Sequence, residues 1–168
     1  MDKVGIFYGS STGNTRDVSQ KLCEAFGPGK AELHNIAETT PESLRAYRNL
    51  VFAGSTWGTG ELQDDWERFF PQLDEVDLHG KCVALMALGD QQNYPETFAS
   101  WMGFVFDKVI ERGATVVGDT ELKNYAFTAS ASERGGRFLG LVIDEDNQAD
   151  LTPKRISDWV RRLKREFY

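Results

Sequence analysis

The sequence predicts an α/β fold of three layers, α/β/α, in which helices cover both faces of a doubly wound, five-stranded parallel sheet. Apolar runs of strand length recur along the chain, and amphipathic helical patterns fall between them. The runs are nearly unbroken, as in parallel strands that are covered on both faces. Alternation of strand and helix from end to end indicates right-handed crossovers around one sheet. A length of 168 residues suits one domain, which we predict over residues 1–168.

The apolar runs predict five strands. The first four span Val4 to Tyr8, Ala31 to Ile36, Leu50 to Gly54 and Cys82 to Leu88. The fifth begins at Thr115 to Val117 and continues at Phe138 to Ile143. Between its two pieces, residues 118–137 are polar and contain paired glycines, so we predict that this segment, the insertion, is a surface excursion that splits the fifth strand.

Apolar stripes at helical spacing predict the main helices. The stripes are Val18, Leu22, Ala25 and Phe26; Trp66, Phe69, Phe70 and Leu73; Phe98, Trp101, Met102, Val105 and Val109; and Ile156, Trp159, Val160, Leu163 and Phe167. For the last helix we predict Thr152 as N-cap and Pro153 at the first helical position. We interpret the aromatic residues of these stripes as core residues.

Charge and cysteine usage exclude several classes of protein. The formal net charge is -7, whereas a protein that binds duplex nucleic acid is normally basic, so we expect no nucleic-acid partner. Cys23 and Cys82 lie far apart and form no C-x-x-C motif, which is compatible with a reducing compartment. There is no signal-peptide pattern and no apolar stretch long enough to span a bilayer, so we expect a cytoplasmic protein without a membrane partner.

The first strand runs into a hydroxyl-rich loop that precedes a helix, which is where a phosphate is expected. The loop consists of Ser10, Ser11, Thr12, Gly13, Asn14 and Thr15. It lacks the lysine of a Walker A loop and the Gly-x-Gly-x-x-Gly pattern of a dinucleotide loop. Neutral donors of this kind suit a terminal phosphate monoester. The alternative is an ordinary hydroxyl-rich turn that caps a helix.

Two further loops each carry one aromatic residue in a setting of glycine and polar residues. Trp57 follows the third strand and Tyr94 follows the fourth, and both lie outside any helical or strand period. Two such side chains could sandwich a flat ring, and each stack would add on the order of 1 kcal/mol beyond the area it buries. Singly, each could also be a packing or surface residue.

These three loops resemble those of flavodoxins, and the resemblance covers essentially the whole chain. It is carried by residues 10–15, by Thr56-Trp57 and by Gly89-Asp90-Gln91-x-x-Tyr94. The insertion, and Leu141 to Gln148, resemble the long-chain group of that family. The resemblance implies strand order 2-1-3-4-5 and one non-covalent FMN at the carboxyl ends of the strands. Flavodoxin with FMN is itself an example of that placement rule.

The resemblance also implies which residues bind the cofactor. Residues 10–15 would hold the phosphate, Trp57 and Tyr94 would flank the isoalloxazine, and Asp90 with its neighbours would contact the ring edge. The full set is Ser10, Ser11, Thr12, Gly13, Asn14, Thr15, Ser55, Thr56, Trp57, Gly58, Thr59, Gly60, Leu88, Gly89, Asp90 and Tyr94. Gly58 stands where a larger residue is common, and Asn124-Tyr125 stands where many relatives have Asp-Gly-Tyr.

The function implied is that of a low-potential one-electron carrier rather than an enzyme, cycling mainly between semiquinone and hydroquinone. Negative charge near the ring disfavours full reduction, and the acids expected around or near it are Glu61, Asp64, Asp65, Glu67 and Asp90. A peptide flip at Gly58 is a hypothesis for how the semiquinone is stabilised. The alternative explanation for this glycine is plain turn geometry.

The expected partners are larger redox proteins, a reductase donor and an oxidoreductase acceptor, which dock transiently at an acidic flavin edge of a monomer. The acids of residues 61–67 could equally be the solvated face of a helix. Two other classes of function stay open: an FMN enzyme such as a quinone reductase, and a flavin-free binding module. A calcium loop beginning at Asp144 is disfavoured, because Ala149 and Arg155 stand where Gly and Glu are required.

Overall fold

The computed structural model describes residues 1–57 and 60–168. Its strands are β1 (Val4–Tyr8), β2 (Ala31–Asn35), β3 (Asn49–Trp57), β4 (Glu61–Leu62), β5 (Cys82–Leu88), β6 (Thr115–Val117), β7 (Thr120–Glu121), β8 (Glu133–Arg134), β9 (Arg137–Phe138) and β10 (Leu141–Ile143). Its helices are α1 (Asn14–Phe26), α2 (Pro41–Arg45), α3 (Asp64–Phe69), α4 (Trp101–Glu111), α5 (Glu145–Gln148) and α6 (Thr152–Glu166). Short 3-10 turns cover Ile36–Glu38, Phe70–Glu75 and Ala149–Leu151.

The central sheet is parallel, with β2, β1, β3 and β5 side by side and the fifth position shared by β6 and β10. β6 pairs with the first half of β5, at Cys82 to Ala84, and β10 pairs with the second half, at Met86 to Leu88. The predicted strand order and the split fifth strand are therefore confirmed. β4 is antiparallel to the end of β3.

Two hydrophobic clusters lie on the two faces of this sheet, because successive side chains of a strand point to opposite faces. Phe7 and Phe52 pack on one face with Trp66 of α3 and Trp101 of α4. Their neighbours Ile6 and Val51 pack on the other face, with side chains of α1 and α6 such as Leu22 and Trp159. The molecule therefore has the predicted three layers. Within the described chain, no helix is both long and apolar enough to cross a membrane.

Several predicted boundaries were wrong. β3 continues past Gly54 because Ser55 still pairs with Leu88 and Thr56 pairs with Leu62 of β4. β2 ends one residue early, because the Asn35 side chain accepts a hydrogen bond from the Ala37 N–H and starts a 3-10 turn. In two of the predicted stripes, Ala25 is exposed and Phe70 lies in a 3-10 turn after α3.

Thr152 is not the N-cap of α6 but its first residue. Its hydroxyl donates to the Glu145 carboxylate at 3.0 Å, and Leu151 occupies the cap position at the end of a 3-10 turn. The side chain is therefore used in tertiary contact rather than in capping. Pro153, predicted at the first helical position, is therefore the second residue of α6, although it still lies in the first turn.

Phe98 is not part of α4, which begins at Trp101. Ala99 takes a positive φ of 51°, which interrupts the backbone before the helix. The Phe98 ring is instead 5.9 Å from that of Tyr125 and 5.5 Å from that of Phe127, centroid to centroid. Phe98 therefore packs against the insertion.

The insertion is more than a polar surface excursion. Its strands β7 and β8 form a small antiparallel sheet with β9, in the order β7-β9-β8. Phe138 belongs to this sheet and not to the fifth strand, which corrects the predicted continuation. Tyr125 and Phe127 pack partly buried against the core, so aromatic contacts anchor the insertion.

Candidate functional site

A cavity of about 290 Å³ lies at the carboxyl ends of the parallel strands. Of the predicted site residues, the structure brings eleven together in its lining: Ser11, Thr12, Asn14, Thr15, Ser55, Thr56, Trp57, Leu88, Gly89, Asp90 and Tyr94. Glu145 and Asp146 complete the lining and were not predicted as site residues. Strand ends β1, β3, β5 and β10 thus meet at one site.

One end of the cavity is the loop before α1. Gly13 adopts a left-handed conformation, φ 97°, which turns the chain into the helix, and its N–H donates to the Ser10 hydroxyl oxygen at 3.0 Å. The first N–H groups of a helix have no partner within the helix, and among the described residues no side chain caps those of α1. Those groups, the helix dipole and the hydroxyls of Thr12 and Thr15 make a site for an anion.

Three predicted residues do not line the cavity. Ser10 and Gly13 act on it indirectly, since their mutual hydrogen bond shapes the loop. Gly60, with φ 91°, lies in the turn before β4. Gly58 and Thr59 lie outside the described residues, and so does the peptide-flip hypothesis that rests on Gly58.

Gln63 supports the anion end and was missed by sequence reasoning. Its side chain is buried, and its Nε2 donates to the Ser11 Oγ at 2.9 Å. Its Oε1 accepts from the backbone N–H groups of Asp65 and Trp66, which caps α3. The available signal was a polar residue directly before an acidic first helical turn.

The other end of the cavity carries the two aromatic side chains. Trp57 is 40% exposed and Tyr94 is 54% exposed, although both are large and lie beside one cavity. The Trp57 indole N–H donates to the Ser55 hydroxyl oxygen at 2.9 Å, and the Tyr94 N–H donates to the Asp90 carbonyl at 2.9 Å. The first bond fixes the Trp57 ring and the second fixes the backbone at Tyr94, and both rings have exposed surface that a flat ligand could cover.

Gly89 is needed for close packing behind the cavity. A Cβ at this position would lie 3.0 Å from the Ala99 backbone nitrogen and from the Phe98 ring. The Gly89 N–H donates to the carbonyl of Ile143, which joins the end of β5 to the end of β10. Nearby, the Thr56 hydroxyl oxygen accepts from the Trp101 N–H at 2.9 Å and fixes the end of β3 to α4.

Asp90 is held ionised by its hydrogen bonds. Burial acts to raise its pKa, but hydrogen bonds from the Asn93 backbone, from the Asn147 and Asn93 side chains and from the Gln92 backbone outweigh burial. The pKa of Asp90 therefore lies below its usual value. A fixed negative charge at this wall of the cavity follows.

Asp146 has the opposite shift. Burial raises its pKa, and the neighbouring charges of Asp90, Asp144 and Glu145 raise it further. Of the lining residues that the structure describes, three are carboxylates and none is Lys or Arg. The part of the cavity lined by these three carboxylates thus favours neutral or positive groups of a ligand.

The acids predicted near the ring are only partly at the site. Asp90 lines the cavity, whereas Glu61, Asp64, Asp65 and Glu67 do not. Asp65 forms an ion pair with Arg68 and accepts from Gln63. Glu145 and Asp146 could have been predicted as site residues, because they directly follow the fifth strand and the carboxyl ends of neighbouring parallel strands meet at one edge of the sheet.

The arrangement fits a planar ligand that carries a phosphate monoester. Hydroxyls and free N–H groups without a lysine form one end, and two partly exposed aromatic rings form the other. This donor set matches the chemistry of FMN, whose ring is flat and whose phosphate is terminal.

Comparison with known proteins gives a consistent result. The flavodoxin family model matches residues 6–159. Flavodoxin from Nostoc sp. is 41% identical over 165 residues, covering 98% of this chain and 97% of that protein. Flavodoxin 1 from Escherichia coli is 42% identical over 169 residues, covering 100% of this chain and 96% of that protein.

Solved structures agree. The crystal structure of Fusobacterium nucleatum flavodoxin bound to flavin mononucleotide superposes with a TM-score of 0.95 at 32% identity, and the match covers 100% of both chains. The sequence matches and the structural match are thus all to flavodoxins, and they extend over nearly the full length of the chain. The chain belongs to the flavodoxin family.

Proposed function

We propose that this chain binds one FMN non-covalently in the cavity and carries single electrons between larger redox proteins. The observation that carries the proposal is the cavity itself, in which the free N–H groups at the start of α1 face the same space as Trp57 and Tyr94. The FMN-bound structure of the F. nucleatum relative supports the choice of ligand. When bound, FMN supplies the redox chemistry, and the protein supplies binding and electrostatics.

The phosphate end gives affinity without a formal positive charge among its described lining residues. The hydroxyls of Thr12 and Thr15 and the first-turn N–H groups of α1 would donate to the phosphate oxygens. Ser10 and Gly13 keep the loop in shape, and Gln63 holds Ser11. Hydrogen bonds to a charged acceptor contribute about 1.5–3 kcal/mol each, so several neutral donors suffice.

The aromatic end holds the ring and the carboxylates set its potential. Trp57 and Tyr94 would cover the ring faces, and Ser55, Thr56, Leu88 and Gly89 line the same cavity. Asp90, Glu145 and Asp146 place negative charge at the ring edge, which makes addition of further negative charge unfavourable. The second of the two one-electron steps is therefore the low-potential working couple.

The partners dock transiently at the acidic edge of the cavity, and the carrier works as a monomer in the cytoplasm. Glu61, Asp64 and Glu67 are exposed and extend the acidic edge along β4 and α3. A basic patch on a reductase or on an acceptor would be steered to such a surface. Raising the salt concentration should then slow electron transfer, since screening acts over about 10 Å at 0.1 M.

Stepwise reduction of the purified protein without oxygen tests the proposal. The visible spectrum is recorded throughout, and apoprotein is titrated with FMN by fluorescence in parallel. Two resolved one-electron steps support the carrier. Flavin that bleaches in one step, or direct turnover of NAD(P)H, would indicate an FMN enzyme, and a colourless protein that ignores added FMN would indicate a flavin-free binding module.

A further inference from the structure

Gln91 lies behind the cavity wall, and both polar atoms of its side-chain amide form hydrogen bonds. It is 5% exposed and does not line the cavity. Its Nε2 donates to the Asp144 Oδ2 at 2.6 Å, and its Oε1 accepts from the backbone N–H of Ala126, in the insertion, at 2.7 Å. One side chain thus joins the loop after β5, the residue after β10 and the insertion.

Asp144 is the fixed point of this arrangement. It is fully buried, and its carboxylate accepts from the Gln91 backbone N–H at 3.1 Å as well as from the side chain. The Asp144 carboxylate also accepts hydrogen bonds from the Asn147 backbone N–H and from the Asn147 side-chain amide. A buried carboxylate is tolerated only with such partners, so the loss of one donor would be costly.

The network continues into the cavity wall. The Asn147 side-chain amide also donates to the Asp90 Oδ1 at 2.8 Å. The Asp90 carboxylate in turn accepts from the backbone N–H groups of Gln92 and Asn93, and its carbonyl accepts from the Tyr94 N–H. Asp144 therefore fixes the loop of residues 90–94 from behind, at both Gln91 and Asp90.

Three further hydrogen bonds join residues 124–128 of the insertion to the rest of the protein. The Tyr125 hydroxyl donates to the Val142 carbonyl at 2.5 Å, and the Gln148 Nε2 donates to the Asn124 carbonyl at 2.8 Å. The Thr128 N–H donates to the carbonyl of Pro95, directly after Tyr94. Residues 124–128 thus lie against the loop that carries the ring-edge acid and one ring-stacking aromatic.

We propose that Gln91 is a positioning residue, which links the insertion to the loop of residues 90–94 and so sets the placement of Asp90 and Tyr94 against the flavin. The proposal rests on the proposed function for the flavin itself. It gives the insertion a role in the site although none of residues 118–137 lines the cavity. Loss of the Gln91 contacts loosens the loop rather than removing a flavin contact.

The test compares Gln91→Met with Gln92→Met. Gln92 is the exposed neighbour in the same turn, so its variant controls for composition and for helix or loop propensity. We expect Gln91→Met to raise the FMN dissociation constant about tenfold, since a buried carboxylate and a buried N–H each lose a partner. We also expect altered visible circular dichroism of bound flavin and faster amide exchange at residues 90–94.

A second set of variants keeps the test decisive if Gln91→Met folds poorly. Gln91→Glu retains an acceptor for Ala126 but faces the Asp144 carboxylate, and Asp144→Asn removes the charge on the other side. In the double variant Gln91→Glu/Asp144→Asn, the new amide at position 144 can donate to the new carboxylate at position 91, but the backbone N–H of position 91 loses its acceptor. The double variant should therefore recover part of the loss in FMN affinity and part of the change in dichroism that Gln91→Glu alone causes.

If the variants lower the melting temperature while FMN affinity, dichroism and exchange at residues 90–94 stay as in the unmodified protein, Gln91 is only a structural residue and the proposal is wrong. Amide hydrogen exchange at residues 90–94 is measured in the apoprotein as well. Should the unmodified protein bind no FMN, the proposed function fails, and apoprotein exchange still decides whether Gln91 restrains the loop.

Discussion

The side-chain amide of Gln63 donates a hydrogen bond of 2.9 Å to the hydroxyl oxygen of Ser11, which ties the start of α3 to the loop before α1. The same side chain caps α3 through its Oε1. A single residue therefore stabilises both a helix and one end of the cavity.

Gln63→Met should lower stability and cofactor affinity together. Loss of the cap costs about 1–2 kcal/mol of unfolding free energy. Ser11→Ala leaves the cap of α3 intact but removes the contact between the loops and a hydroxyl that lines the cavity, so it should weaken FMN binding with little change in stability. Chemical denaturation of the apoprotein and fluorescence titration with FMN measure the two effects, and equal stability loss in both variants would contradict the separation.

Thr15→Val should discriminate between FMN and riboflavin. Thr15 lies at the start of α1, lines the cavity and is almost fully buried. The isosteric change removes one hydroxyl donor to the phosphate, at a cost of about 1.5–3 kcal/mol, or roughly tenfold to a hundredfold in affinity. Riboflavin has no phosphate, so its dissociation constant should not change. Equal losses for the two ligands would place the phosphate elsewhere.

Trp57→Ala should have the complementary effect. It removes ring contact, so FMN and riboflavin should both bind more weakly, by about 1–2 kcal/mol. Because the side chain is 40% exposed without a ligand, apoprotein stability should change by less than about 0.5 kcal/mol. A large loss of apoprotein stability with unchanged affinity would mean that Trp57 is a packing residue.

Ser19→Ala should stabilise the protein by about 0.5–1 kcal/mol. Ser19 lies inside α1, is fully buried, and its hydroxyl has no hydrogen-bond partner within residues 1–57 and 60–168. Alanine removes an unsatisfied polar group and is the better helix former. Urea denaturation checks the value. A loss of stability would reveal a partner for the hydroxyl, such as bound water, and FMN affinity should be unaffected.

Asp146→Asn should stabilise the apoprotein near pH 7, by a few tenths of a kcal/mol because the side chain is exposed. Partial desolvation of this largely exposed carboxyl is the first cause that raises the pKa of Asp146, and the charges of Asp90, Asp144 and Glu145 raise it further, so ionisation disfavours the folded state. That penalty is complete above the folded-state pKa and disappears as the pH falls to the unfolded value. Melting temperatures should therefore differ at pH 7 and converge near pH 4. A constant difference would exclude this electrostatic origin.

The same substitution should raise the potential of the second one-electron step. Removing one carboxylate from the ring edge reduces repulsion of the added charge. A tenfold change in the equilibrium corresponds to about 59 mV for one electron, and an exposed group should give less than that. Potentiometric titration at low and high salt measures the shift, which should shrink with salt.

The sequence by itself determined the layer architecture and the outline of the site. Unbroken apolar runs such as Cys82–Leu88 predict buried strands, and a hydroxyl-rich loop between β1 and α1 indicates a site where free N–H groups can bind an anion. These are local properties, since neighbours along the chain decide them. The strand order and the assignment of Trp57 and Tyr94 to a flavin depended on the resemblance to flavodoxins as well as on the pattern.

Only the tertiary structure decided which distant side chains complete the site. Gln63 meets Ser11 across 52 positions, and Gln91 meets Ala126 across 35, so no periodicity reports either bond. The predicted N-cap role of Thr152 was wrong because its hydroxyl donates a hydrogen bond to the Glu145 carboxylate instead. Glu145 and Asp146 reach the cavity because β10 ends beside β5, which follows from how the split strand pairs. Local pattern sets the elements, whereas the satisfaction of buried polar groups depends on what the folded chain brings together.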